Sequence, residues 1–267
     1  MCGILGEMAL RDSLLDKEAF ISLLNLSLRR GPDSQGYFKN DGLIQLGFNR
    51  LSILDKSENG SQPIHSPSGR YVMVFNGEIY NHFDLRRALA KQRFRFKGNG
   101  DTESLIACFD YFGINKTIEM LDGMFAIGIF DKKENKLYLI RDFAGIKPLH
   151  YGFNGRSVVF ASQYNQIVKH PNYNRYQINP KVLKLYLSQH FIPAPYGIIR
   201  NTYQVMPGEI ITFSLNAVKR NRKYWELSKE TKPLISNKSE AIEIISNELE
   251  NSIKSELISD VPLGSFL

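Results

Sequence analysis

Phe125-Ala126-Ile127-Gly128-Ile129-Phe130 and Lys136-Leu137-Tyr138-Leu139-Ile140 flank the polar stretch Asp131-Lys132-Lys133-Glu134-Asn135. Two apolar runs of strand length, rich in β-branched and aromatic residues, predict strands. Joined by so short a turn-type connection, they must pair antiparallel. A parallel pair would need a crossover of about a dozen residues or more. This hairpin places the chain in the α+β class rather than among doubly wound parallel sheets.

The reading extends outward. Residues 71–75, 157–161, 42–47 and 209–213 carry further strand patterns, and Phe153-Asn154-Gly155 supplies another turn. Helical spacing marks residues 16–28, 83–89, 102–112 and 180–187, the last opened by Pro180, which suits a first helical turn. Residues 216–238 are polar and contain Pro233, a linker composition. Beyond it Ile242, Ile245, Leu249, Ile253 and Leu257 recur in helical steps over 239–259, with Ser239 as the expected cap. The stripe faces nothing identifiable upstream, and 259–267 ends in apolar residues that resemble the start of a strand. The expected division is one domain over 2–215, a linker over 216–238, and the opening of a second domain over 239–267.

Composition narrows the function classes. Of 267 residues 43% are hydrophobic, enough for a sizeable core. Two cysteines, Cys2 and Cys108, build no disulfide framework and favour a reducing, cytoplasmic location. Cys108 sits in an apolar helical stretch and reads as a core residue. No stretch approaches the ~20 apolar residues of a membrane span. The net charge of +7 gathers in Arg86-Arg87, residues 91–97 and residues 219–223. Without a zinc pattern, an RNA-binding aromatic signature or a DNA-reading helix pair, these clusters read as solvated faces, and no specific nucleic-acid partner is expected. His65, His82, His150, His170 and His190 are scattered without metal-ligand spacing, so no metal site is expected.

The chemistry begins at Met1-Cys2-Gly3-Ile4. Removal of Met1 would leave a thiol and a free α-amine on Cys2. Their ordinary pKa values, ~8.5 and ~8, let the amine act as base to its own nucleophile near neutral pH. An accidental second-position cysteine is the bland alternative, and residues downstream decide between them. Phe75-Asn76-Gly77-Glu78 offers a side-chain amide and a glycine N–H as an oxyanion site, though Asn-Gly is also a common turn. Arg50 can grip a carboxylate in a two-point fork, or it can be an ordinary surface ion-pair residue. Glu78 and Asp101 can receive an ammonium, and Asp101 can equally cap the helix that follows it. Together these groups suit glutamine or asparagine.

In order along the chain stand Met1-Cys2-Gly3-Ile4, Arg30-Gly31-Pro32-Asp33-Ser34-Gln35-Gly36, Arg50-Leu51-Ser52-Ile53 with Gln62-Pro63, and Phe75-Asn76-Gly77-Glu78-Ile79-Tyr80-Asn81. They are followed by Gly100-Asp101-Thr102-Glu103, Leu121-Asp122-Gly123-Met124-Phe125-Ala126, Arg141-Asp142 through Gly145-Ile146-Lys147-Pro148-Leu149, and Met206-Pro207-Gly208-Glu209. In these segments the chain resembles the glutamine-hydrolysing asparagine synthetases, whose N-terminal half is a class II glutamine amidotransferase domain. The resemblance implies a four-layer α-β-β-α N-terminal-nucleophile hydrolase sandwich of mostly antiparallel sheets, followed by a fragment of an α/β synthetase domain.

It also implies roles. Cys2 would attack the side-chain amide of glutamine and release ammonia from a glutamyl thioester. Asn76 and Gly77 would form the oxyanion hole, Arg50 would bind the α-carboxylate, and Glu78 and Asp101 the α-ammonium. Leu51, Ser52, Ile53 and Leu54 would line the pocket, while residues 30–36 and 141–148 would hold the site and the route onward. The hydrolysis needs no cofactor. ATP and Mg belong to the synthetase half, whose glycine-rich ATP turn would follow Leu267. Gln163 departs from the family's usual glutamate. The acceptor is most simply aspartate. A sugar acid of surface polysaccharide assembly, or a glutamine-binding module without catalysis, are the other readings. A homodimer is left open.

Overall fold

The computed structural model describes residues 1–264 apart from 41, 176, 217–218, 229–234 and 236. Its strands are β1 (Gly3–Ala9), β2 (Ser34–Asn40), β3 (Ile44–Arg50), β4 (Ile64–His65), β5 (Tyr71–Ile79) and β6 (Gly123–Asp131). They continue with β7 (Lys136–Arg141), β8 (His150–Phe153), β9 (Ser157–Ala161), β10 (Thr202–Gln204), β11 (Glu209–Ser214) and β12 (Lys219–Lys223). The helices are α1 (Lys17–Asn25), α2 (His82–Ala90), α3 (Asp101–Met120), α4 (Tyr164–Val168), α5 (Pro180–Gln189) and α6 (Lys238–Glu256).

The hairpin forms as its sequence predicts. β6 and β7 pair antiparallel from Ala126 opposite Arg141 to Asp131 opposite Lys136. Asp131 is fully buried at the turn, where its carboxylate accepts N–H groups from Lys133 (2.9 Å) and Glu134 (3.2 Å). Arg70 closes a two-point fork on the same carboxylate. Asn135 takes the left-handed conformation (φ 50°) that its residue type tolerates.

This hairpin lies inside a six-stranded sheet of order β12-β11-β7-β6-β5-β4. A second six-stranded sheet, β10-β8-β9-β1-β3-β2, stacks on it. Among the described residues every strand pairing within the two sheets is antiparallel. Alternation along β5 explains the layers: Val72 and Val74 enter the core between the sheets, with Ile4, Phe48, Phe130 and Phe160. Tyr71, Met73 and Phe75 face the other way, onto Leu85 and Leu89 of α2 and Leu105 and Phe109 of α3. On the outer face of the second sheet, Leu5, Val159 and Ala161 pack against Phe20, Leu23 and Leu24 of α1 and Ile167 of α4. The order is α-β-β-α.

Phe160 pins the two sheets together. A Cβ on Gly6 or on Gly128 would overlap its ring, so glycine on both sides lets one aromatic ring fill the gap. Full burial of such a side chain contributes about 1.5–3 kcal/mol.

Some elements differ from expectation. α1 stops at Asn25 and a 3-10 turn, Leu28–Arg30, follows. α3 runs on to Met120, broken at Gly113 (φ 78°, ψ 170°). The third strand begins at Ile44 because Gly42 (φ 72°) still belongs to the turn. Residues 219–223 fall in the expected linker yet form edge strand β12 on β11. A basic strand suits a sheet edge, where charge discourages further pairing. Asn237, not Ser239, caps α6, its side-chain oxygen accepting the Ser239 N–H at 2.9 Å. Pro233 and residues 265–267 lie outside the described residues. The apolar stripe of α6 is open, with Ile242, Ile245, Leu249, Ile253 and Leu257 each more than half exposed. Among the described residues no helix is long and apolar enough to cross a membrane.

Candidate active site

Cys2 sits at the foot of β1, where its neighbour Gly3 packs so tightly on Ser27 that a Cβ there would overlap it. Arg30 holds the nucleophile's backbone, its Nε donating to the Cys2 carbonyl at 3.1 Å. The Leu51 N–H points at the Cys2 sulfur at 3.4 Å. Burial raises the thiol pKa, opposed by this N–H, the N-terminal amine and the Arg50 guanidinium. Burial also lowers the pKa of the chain's terminal amine, here that of Met1, and Lys147 and Arg30 push it the same way. In the chain as it stands the Cys2 nitrogen is an amide, so Met1 must leave before that nitrogen can take a proton.

Cys2 opens onto a cavity of about 240 Å³, a size that suits an amino acid. Asn76 and Gly77 line it from β5. An antiparallel ladder turns the N–H groups of Phe75, Gly77 and Ile79 to one side, away from β6. Gln62 Oε1 accepts the first at 2.6 Å, and Asp101 Oδ2 accepts the third at 2.9 Å. The N–H of Gly77 lies between them at the cavity wall. Beside it Asn76 Nδ2 is buried with no hydrogen-bond partner among the described residues. Such an orphaned donor costs stability and needs an explanation. A cavity-facing pair of donors next to a thiol provides one.

Charge is sorted across the cavity. Arg50, 6% exposed, is aimed by the carbonyls of Ser57 (2.9 Å) and Asp55, which accept from its two terminal nitrogens. Glu78 and Asp101 line the same cavity. Burial, with the Glu78 charge added, raises Asp101 to about 6. Burial also raises Glu78, with Lys147 and the terminal amine opposing. The cavity thus offers a guanidinium, two carboxylates and a thiol with neighbouring amide donors.

Of the residues expected from sequence, Cys2, Arg50, Leu51, Ile53, Leu54, Asn76, Gly77, Glu78 and Asp101 line this one cavity. Ser52 does not, and its N–H is taken by Asp33 at 2.7 Å. Asn76-Gly77 is strand, not turn. Asp101 is the first residue of α3 rather than its cap, which is Gly100. Gln163 lies at the N-cap of α4, outside the cavity lining. Gln62 and Lys147 also line the cavity, and neither was named as a pocket residue from sequence. The Gln62 amide imitates a missing strand, bonding both the N–H and the carbonyl (3.1 Å) of Phe75. Its place directly after the loop that follows Arg50 was the available signal.

The profile of the glutamine amidotransferase domain matches residues 1–225. The chain belongs to that family. Glutamine-hydrolysing asparagine synthetase 1 of Bacillus subtilis is 34% identical over the whole chain, and asparagine synthetase B of Escherichia coli is 29% identical, also over the whole chain. This amidotransferase chain spans 42% of the length of each. In fold it is similar to the glutamine phosphoribosylpyrophosphate amidotransferase of B. subtilis complexed with ADP and GMP, with a TM-score of 0.60 at 18% identity over 84% of this chain and 49% of that one. That likeness shows the fold, the α-β-β-α sandwich, and no more.

Proposed function

We propose that this amidotransferase chain hydrolyses glutamine at Cys2. With Met1 removed, the α-amine takes the proton of the thiol, and Sγ attacks the side-chain carbonyl carbon. Asn76 Nδ2 and the Gly77 N–H stabilise the oxyanion, a contribution of about 10²–10³ in rate per donor. The amine returns its proton to the departing nitrogen, ammonia leaves, and water then frees glutamate from the thioester. Arg50 binds the α-carboxylate, while Glu78 and Asp101 bind the α-ammonium. The loop of Leu51, Ile53 and Leu54 forms the wall.

The buried, unpartnered Asn76 amide nitrogen beside Cys2 carries this reading. Protein whose loss of Met1 is verified by intact mass should release glutamate and ammonia from glutamine, and Cys2→Ala should release neither. Glutamine binding without turnover would instead leave a sensing module.

The ammonia is proposed to amidate aspartate, as the names of the relatives suggest, in a synthetase portion opened by residues 239–267. Residues 224–238 then serve as the connection. ATP and magnesium would act in that portion. Among the described residues no three His, Cys, Asp or Glu side chains gather as a metal would require. A full-length protein given ATP with either aspartate or a uronate would reveal the acceptor by which amide accumulates.

A further inference from the structure

In Gly145-Ile146-Lys147-Pro148 the usual order of burial is inverted. Ile146 is 57% exposed, while Lys147 is 6% exposed and turned into the Cys2 cavity. Lysine is rarely buried unless it is paired, and an exposed isoleucine forgoes the burial its side chain favours. Yet the Lys147 ammonium has neither a hydrogen bond nor an ion pair within 4.0 Å among the described residues, and the residue bonds there through its backbone alone. The loop is built to hold it there. The buried Arg141 donates to the carbonyls of Lys147 (2.9 Å), Gly145 (2.8 Å) and Val205 (2.8 Å). The buried Asp142 accepts the N–H groups of Ile146 (2.8 Å) and Lys147 (3.0 Å). Two charged side chains thus fix the backbone on both sides of one cation.

We infer that Lys147 is a positioning residue for the nucleophile, whose ammonium makes the Cys2 thiol and amine shed their protons at lower pH. The inference rests on Cys2 being the nucleophile. Hydrolysis needs the amine unprotonated when glutamine arrives and the sulfur negative as it attacks. A fixed positive charge nearby disfavours the ammonium and favours the thiolate, so it helps both requirements. The other charges facing this pair are accounted for. Arg30 and Arg50 act in the same direction, and Glu78 and Asp101 act against them. Lys147 itself faces Glu78, Arg30, Cys2 and Asp142, and burial lowers its own pKa. Arg30 and Arg50 are committed to carbonyls, Arg30 to that of Cys2 and Arg50 to those of Asp55 and Ser57. Those bonds leave both guanidiniums charged, and Lys147 adds a third positive charge to the cavity, one that no carbonyl or carboxylate among the described residues holds.

The test is the pH dependence of Cys2 alkylation by iodoacetamide in protein lacking Met1, followed by mass, which needs no glutamine turnover. Lys147→Met should move the midpoint up by about one pH unit, and Lys147→Arg should restore it. The acid limb of kcat/KM for glutamine should move with it. A Lys147→Met protein that melts like the parent and alkylates with an unchanged midpoint overturns the inference. An altered alkylation midpoint in protein that never hydrolyses glutamine would leave the inference standing and remove the hydrolytic function.

Discussion

The carboxylate of Asp260 accepts the backbone N–H of Asp55 at 2.8 Å, across 205 positions of chain. Its own N–H returns a bond to the Ile53 carbonyl at 3.2 Å. Ile53 and Leu54 line the Cys2 cavity, and the Asp55 carbonyl receives the Arg50 guanidinium. The segment after α6 therefore grips the wall of the Cys2 cavity from outside. Asp260→Ala should raise KM for glutamine about fivefold with kcat nearly unchanged, the equivalent of roughly 1 kcal/mol of loop order. Steady-state kinetics decide it, and an unaltered KM would mean that the loop holds its form without the grip.

Asn76 separates catalysis from stability. Its Nδ2 has no partner in the ligand-free fold, so Asn76→Ala removes no hydrogen bond from that atom. The variant should unfold at or above the parent's temperature while kcat falls about 10²–10³-fold. Paired calorimetry and turnover measurements check this. A loss of stability that matches the loss of rate would make Asn76 a structural residue.

Phe160 offers a test of the sandwich itself. Gly6→Ala drives a methyl group into its ring from β1. Overpacking of this kind costs about 1–3 kcal/mol, and the ring can yield only toward Gly128 on the facing sheet. Denaturant unfolding of Gly6→Ala should show that loss, and Gly6→Ala combined with Phe160→Leu should recover part of it. A neutral single variant would mean that the sheets are not held this closely.

The hairpin, the α+β class and most of the cavity were legible because their signals are local. Alternation and turn residues mark β5, β6, β7 and β9, while Cys2, Asn76 and Glu78 are weak signals singly and gain meaning from their order along the chain. β1 was not, although it is central. All seven of its residues are buried, so Gly3-Ile4-Leu5-Gly6-Glu7-Met8 shows no clean alternation. It even contains Glu7, satisfied in the interior by Gln45 Nε2 (2.6 Å) and the Leu15 N–H (3.1 Å). β12 hid behind its charge, because a basic stretch reads as solvated whether or not its backbone is paired. Lys147 was illegible for another reason. A lysine in a turn is ordinarily exposed, and only the grip of Arg141 and Asp142 turns this one inward.

Asp101 carries the pH dependence. Its carboxyl is raised from 3.8 to about 6, first by burial and then by the Glu78 charge. The folded chain therefore holds this proton more tightly than the unfolded chain does. Stability from this group is full below about pH 4 and is lost as pH rises through 6. By pH 7 the ionised side chain costs the ligand-free fold up to about 3 kcal/mol. Asp101→Asn keeps an oxygen for the Ile79 N–H and abolishes the charge. Without glutamine it should melt higher than the parent at pH 7 and level with it at pH 4. The ionised carboxylate is also what an α-ammonium requires, so Asp101→Asn should lose glutamine binding, and the parent's KM should climb as pH drops below 6. Thermal unfolding at the two pH values, with KM measured across the same range, tests both halves. If Asp101→Asn melts below the parent at pH 7, the charge is not the burden described, and the carboxylate is satisfied by something other than substrate.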